Sequence, residues 1–340
     1  MKSSRLLAFL LLILCGGCHS GATLPDISRI ELRVHIRRFD EDLFRVDSDQ
    51  VSSGLRKLGK QYPVFLPVYL SQIMNYGAYS DTSRVLDQEL QVFLKATEIM
   101  ALEDTVKRHF PNLNTEESQL GLAFRYTKYY IPSFHPPQCV AFISALSNYG
   151  AVTVDTILGI GLDMFLGPAY PYYAKVSDPY PHYAIRQFAP QYITADCMKV
   201  IEQQLFPSAL AGKPLIWQMI DKGKQLYFLD RVMPGAPDSI KIGYTGTQLA
   251  WCHFNEQMIW QYFIQNNLLY TTDMQETRHY VGEGPSTNGM PAGSPGNIGS
   301  WIGWQIVRAY MYRKPHTTLL KLMNLTDYQR ILDVSRYRPG

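Results

Sequence analysis

A histidine and a carboxylate three residues apart on a helix share one face and can reach the same metal ion, and His253-Phe254-Asn255-Glu256 offers such a pair. The spacing is half of the inverted H-x-x-E-H zinc motif, with Gln257 where the second imidazole would stand. A tetrahedral zinc site needs at least three protein ligands, so the pair alone reads as a hydrogen bond on a helix surface or in a core. His182 is followed by Tyr183-Ala184-Ile185-Arg186, which has neither the glutamate nor the second histidine of H-E-x-x-H. Asp221 precedes Lys222-Gly223. Asp163 lies in an apolar run, placed either to cap the turn at Gly167 or to serve as a functional carboxylate. Gly159-Ile160-Gly161 only echoes a nucleotide loop, because no third glycine opens a helix, and no G-x-S-x-G elbow occurs. Asp163, His182, Asp221, His253 and Glu256 are therefore the cleft candidates, with no catalytic residue, metal site or cofactor assigned.

Cys18 is the other residue with distinctive chemistry. Lys2 and Arg5 precede an apolar run over residues 6–14, too short to span a membrane, and Gly16-Gly17 leads directly into Cys18. The segment Leu14-Cys15-Gly16-Gly17-Cys18 resembles the bacterial lipobox, with Cys15 departing from the usual leucine. That resemblance implies cleavage before Cys18 and acylation of its thiol, and two or more acyl chains anchor a protein stably. Residues 1–17 are then a lipoprotein signal peptide, 18–27 a lipidated tether and 28–340 a single domain. Residues 19–23 have no aspartate after the cysteine, which by resemblance to sorting signals favours the periplasmic face of the outer membrane. Cys139, Cys197 and Cys252 are left over, an odd number in apolar surroundings, and read as small buried hydrophobes.

Composition narrows the partners. Hydrophobic residues make up 46% of the chain, enough for a large core, and two of the positive charges behind the formal +3 sit in the leader, so nucleic acid is excluded as a partner. Five of the 23 tyrosines fall within residues 170–183, a stretch that could line a glycan-binding cleft or form a Pro-braced packed loop.

The elements that must position these residues are legible from periodicity. Ile30, Leu32, Val34 and Ile36 alternate with polar residues and predict a strand, followed by Asp40 as N-cap of a short helix to Phe44. Helical spacing predicts helices over 88–110 and 116–130, each closed by a proline. Residues 139–144 and 151–162, separated by Asn148-Tyr149-Gly150, read as a hairpin. Further helices are expected over 182–206 with a break near Pro190, then 214–230, 247–266 and 298–313, with short pieces after 326. Thr245 and Gln248 form a capping box. Residues 280–297 are a Gly/Pro-rich loop that could fold over a cleft. In the helix after it, Ile298, Trp301, Ile302, Gln305, Ile306, Ala309 and Tyr310 form one buried stripe, with Gly299 and Gly303 permitting close approach. The fold class is α+β, predominantly α-helical: a sheet-containing lobe to about 167 and a helical lobe over about 182–335.

A sheet followed by two long helices resembles the order of thermolysin-like zinc peptidases. Here the helix expected to carry the zinc motif reads Ala195-Asp196-Cys197-Met198-Lys199-Val200, and Asp221-Lys222-Gly223 stands where the downstream glutamate ligand would be. Beyond this scaffold, Ser294-Pro295-Gly296-Asn297-Ile298-Gly299-Ser300-Trp301-Ile302-Gly303-Trp304-Gln305-Ile306-Val307-Arg308-Ala309-Tyr310-Met311 resembles the gliding-motility lipoprotein GldB family of Bacteroidetes. Gly161-Leu162-Asp163-Met164-Phe165-Leu166-Gly167, Gly223-Lys224-Gln225-Leu226-Tyr227, Asn255-Glu256-Gln257-Met258-Ile259-Trp260 and the Arg38-Phe39-Asp40 start are also similar, in order, over nearly the whole chain past the leader. The resemblance implies an outer-membrane lipoprotein serving gliding motility or the associated envelope and secretion machinery through contacts with other envelope proteins, on a peptidase-like scaffold without its metal. The alternatives are a zinc hydrolase with unusual ligands drawn from His182, His253, Glu256 or Asp221, and a glycan-binding lipoprotein.

Overall fold

Residue 36 is where the extended N-terminal segment first pairs with a sheet. The structure, a computed structural model, describes residues 24–79, 84–176 and 180–340, so the expected leader and Cys18 lie outside the described residues. β1 (Ile36–Arg38) runs parallel to β2 (Gln138–Phe142), β3 (Ala151–Val154) is antiparallel to β4 (Ile157–Gly161), and β4 is parallel to β2, giving the order β1-β2-β4-β3. The expected strand over 30–36 is thus mostly unpaired. Its alternation is real, with Glu31, Arg33 and His35 exposed and Ile30, Leu32 and Val34 packed on the core, but periodicity reports side-chain burial and not backbone pairing. The expected hairpin is also displaced. Residues 139–144 and 151–162 do not pair as one; the turn sits inside the second run, at Asp155-Thr156, and β2 meets β4 in parallel.

The central strands β2 and β4 are buried on both faces, and the pleat sorts their residues between two cores. Cys139, Ala141, Leu158 and Ile160 enter the larger core, while Val140, Phe142 and Ile157 enter the smaller. The smaller core is built by α1 (Phe39–Phe44), α2 (Val51–Gln61), α3 (Phe65–Val68), a π-helical turn over Tyr69–Ile73 and α4 (Arg84–Lys95). Phe39, Phe65, Tyr69 and Phe142 meet ring to ring there at 4.8–6.1 Å. Gly159 makes room for them, since a β-carbon would lie 3.0 Å from the Phe142 ring. Asp40 is not an N-cap: it lies within the first turn of α1, buried, and accepts from Arg38 Nε and Nη2 at 3.0 and 2.7 Å.

The expected helix over 88–110 is two, α4 and α5 (Thr97–His109), broken at extended Ala96. The break lets Leu86, Leu90 and Phe93 face the smaller core while Leu102 and Val106 face the larger. α6 (Asn114–Tyr130) follows. Beyond the sheet come α7 (His182–Ile185), a 3-10 turn over Pro190–Tyr192, α8 (Ile193–Leu205), α9 (Leu215–Val232), α10 (Asp238–Ile242), α11 (Gly246–Phe254), α12 (Glu256–Gln265), α13 (Met274–Val281), α14 (Ile298–Arg313), α15 (Leu319–Met323) and α16 (Tyr328–Ser335). The architecture is a predominantly helical α+β fold with a four-stranded sheet.

α9 and α14 form the spine of the larger core. Every residue from Ile298 to Trp304 is buried, so the first two turns of α14 are enclosed all round and not along one stripe. A β-carbon on Gly303 would collide with the Met219 carbonyl of α9, and one on Gly223 would collide with the Gly303 carbonyl. Two glycines facing each other bring the backbones together, and the sequence reading found only one of them. The loop over 282–297 is packed down beside α11 and α12, with Gly293 against the Trp251 ring and Gly289 against Tyr262. Tyr244 Oη donates to the Gly296 carbonyl at 2.7 Å and Thr287 Oγ1 to the Pro295 carbonyl at 2.6 Å.

Candidate functional site

The five candidates drawn from the sequence stand in five different settings. Asp163 is fully buried in the 3-10 turn after β4 and accepts from the Ser144 amide and hydroxyl, both at 2.9 Å, and from the Leu146 amide at 2.7 Å. It staples the turn that leaves β2, where Ala145, Leu146 and Asn148 take left-handed backbone. Burial raises its pKa against the pull of those donors. The turn at Gly167 does without it, because the Gly167 amide donates to the Phe188 carbonyl.

His182 opens α7 and is exposed. His253 is exposed near the end of α11, edge-on to the Trp301 ring at 5.4 Å. Glu256 begins α12 and accepts from Tyr337 Oη at 2.7 Å. The expected helix over 247–266 breaks at Asn255, so His253 and Glu256 lie on separate helices and the one-face spacing does not apply. The capping box of Thr245 and Gln248 does start α11 as expected. In the Tyr-rich stretch, Tyr173 Oη donates to the Asp163 carbonyl at 2.8 Å, Tyr180 Oη donates to the Leu146 carbonyl at 2.7 Å, and both rings pack edge-on against Phe188 at 5.0 Å. Cys139, Cys197 and Cys252 are buried free thiols whose pKa values burial raises.

Asp221 is the candidate that lines a cleft. The end of α8, the middle of α9 and the α15–α16 junction enclose about 180 Å³ bordered by Glu202, Asp221, Lys224, Asn324, Thr326 and Tyr328. Glu202 is 6% exposed, and its Oε2 accepts from Gln225 Nε2 at 2.9 Å. Burial pushes its pKa up to about 7, with Gln225 pulling down and Asp221 adding to the rise. Lys224, 4% exposed, donates to the Leu325 carbonyl at 3.0 Å and lies over the Tyr328 ring at 5.2 Å. Burial lowers its pKa, opposed by Asp221 and Glu202. Tyr328 Oη donates to Asp221 Oδ1 at 2.9 Å, and Trp217 stacks on the same ring at 6.1 Å.

This constellation can hold a proton on Glu202 at neutral pH and ties three helices together. The sequence reading missed Glu202, Lys224 and Tyr328 as a group. The available signal was Lys224 beside Gly223 in a helix whose neighbours are apolar.

A second charged knot lies on the other end of α9. Asp230 accepts from Arg308 Nε and Nη2 at 2.8 Å each, from Lys241 Nζ at 2.8 Å and from Trp304 Nε1 at 2.9 Å, while Asp238 takes Arg308 Nη1 at 2.8 Å. The guanidinium lies 3.8 Å from the Trp304 ring centroid. Lys241 and Asp230 are largely buried, Arg308 and Asp238 partly so, and all four are multiply bonded, which is the geometry of a structural lock between α9, α10 and α14. Among the described residues no group of three or more His, Cys, Asp or Glu side chains is arranged to hold a metal ion.

The chain matches, over residues 20–339, the model of the family described as gliding motility protein GldB, and it belongs to that family. The family name places it among lipoproteins of the cell envelope connected with gliding motility. No curated protein and no solved structure matches it.

Proposed function

We propose that the protein is a non-catalytic lipoprotein, held by acylated Cys18 at the periplasmic face of the outer membrane, that supports gliding motility or its associated envelope machinery through contacts with other proteins. The observation that carries the non-catalytic reading is the dispersal of the candidate side chains. Asp163, Asp221 and Glu256 each accept hydrogen bonds from a different structural partner, and His182 and His253 are exposed on separate helices. A nucleophile and base need mutual hydrogen-bond reach, and zinc needs three donors. The family membership supports the envelope role, and among the described residues no helix is long and apolar enough to cross a membrane.

The peptidase-like scaffold enters this proposal through the order of its elements. α8 lies against β3 and β4, with α9 beside it; where the zinc motif would stand α8 reads Ala195-Asp196-Cys197-Met198-Lys199-Val200, and where the downstream glutamate would precede a glycine α9 reads Asp221-Lys222-Gly223.

Metabolic labelling with palmitate tests the anchor. Label is expected in the wild type and absent from Cys18→Ala, with the wild type sedimenting in the outer-membrane fraction and the variant released. Label on both proteins would remove Cys18 from the proposal. Stoichiometric zinc in purified protein, together with a hydrolysis that His253→Ala abolishes, would replace the non-catalytic reading with the hydrolase one.

A further inference from the structure

β3 is an edge strand whose outer side has no partner among the described residues. Its register with β4 fixes which groups point outward. The Gly161 amide donates to the Gly150 carbonyl at 3.0 Å, and the Asp155-Thr156 turn closes on the Val154–Ile157 pair, so residues 150, 152 and 154 turn their backbone groups toward β4. Ala151 and Thr153 therefore direct both N–H and C=O away from the sheet, and no backbone or side-chain partner meets them among the described residues. The next outward carbonyl, that of Asp155, accepts from Gln204 Nε2 of α8 at 2.8 Å, so α8 closes that end of the edge.

All four β3 residues are half-buried, so the edge is reachable from solvent. Proteins blunt such edges with charge, proline or a bulge, and Ala-Val-Thr-Val carries neither charge nor proline. A groove of about 280 Å³ opens between α8 and the start of this edge, bordered there by Asn148, Gly150 and Ala151. Met164, Phe165 and Phe188 give it an apolar lining, and Lys199, Val200 and Gln203 come from one face of α8. The one charged pair there, Lys199 with Asp196 at 3.1 Å, is internally neutral.

We propose that this edge and groove bind an extended, uncharged segment of a partner protein, which adds a fifth strand beside β3 and places apolar side chains at alternate positions against Met164 and Phe165. Unpaired N–H and C=O groups repeating every second residue are complementary to another extended backbone, and the neutral apolar wall selects against charged segments. The proposal rests on the reading that the protein works by protein contacts, and names where one such contact is made.

The test selects short random-sequence phage-displayed peptides on the purified full-length lipoprotein in detergent, then follows amide hydrogen exchange with and without a selected peptide. Protection of the Ala151 and Thr153 amides is expected. Thr153→Pro removes one outward N–H and leaves the β4 ladder intact, because proline is tolerated on the solvent side of an edge strand, and it should weaken peptide binding at least about tenfold. Equal binding to Thr153→Pro, protection confined to other amides, or no selected peptide would overturn the proposal. So would amides 151 and 153 that are already protected in the free protein, which would mean that the chain's own tether covers the edge. A concentration-dependent dimer abolished by Thr153→Pro would assign the edge to a second copy and also overturn it. If envelope proteins crosslink equally to wild type and variant, the contact lies elsewhere and the proposed function stands; if none crosslinks to either, that function itself fails.

Discussion

Glu202 shows how burial, as the largest of several influences, can give one side chain a physiological titration. With its folded pKa at about 7 and an ordinary value of 4.5, the folded state keeps a proton that the unfolded chain has already released. The contribution is full below the ordinary value and is lost as pH rises through about 7. Wild type should therefore be less stable at about pH 8 than at about pH 5, by on the order of 3 kcal/mol from this group, and Glu202→Gln should flatten that difference. Urea unfolding of both proteins at both pH values measures it, and equal pH slopes would show that folding does not raise the Glu202 pKa. Asp230 makes the opposite point, as a carboxylate whose charge the fold requires. Asp230→Asn leaves Arg308 and Lys241 sharing Asp238 and should cost about 3 kcal/mol in denaturant unfolding. Asp163 was visible in the sequence as an aspartate in an apolar run. Glu202 was not, because a glutamate on an amphipathic helix ordinarily faces water, and it is the α15–α16 junction, more than 100 residues away, that covers it.

Among the elements, α14 was read most fully from the sequence and still lacked its partner. Its bounds and both glycines follow from local pattern, but Gly223 gains meaning only when α9 is laid against it. Gly303→Ala should destabilise the protein by about 2–3 kcal/mol or more, since the collision is with backbone and not with the end of a flexible side chain. A variant with an unchanged unfolding midpoint would place the α9–α14 contact elsewhere. Helix breaks at Ala96 and Asn255 escaped the sequence reading because no proline or glycine marks them. In the first case the chain leaves helical geometry so that its two halves can reach different cores, a demand that exists only in the assembled fold.

For the whole molecule, the proposed anchor at Cys18 predicts no change in the domain's own stability, although the core reaches back to Ile27, one residue before the expected start of the domain. Leu24 is exposed and the core begins at Ile27, so Cys18→Ala, once released from the membrane, should keep the wild-type thermal midpoint in detergent. The chain by itself determined the helical character of its C-terminal half, the Thr245 capping box and the family, because each is written in neighbouring residues or in a contiguous motif. Only the tertiary structure decided the strand order, the two-core division of the sheet, the closed spine of α9 and α14, the scattering of the five candidate residues and the open edge at β3. Periodicity tells which side of an element is dry. It does not tell which of two dry surfaces that side meets, and backbone pairing, helix contact and the pKa of a buried carboxylate all depend on that choice.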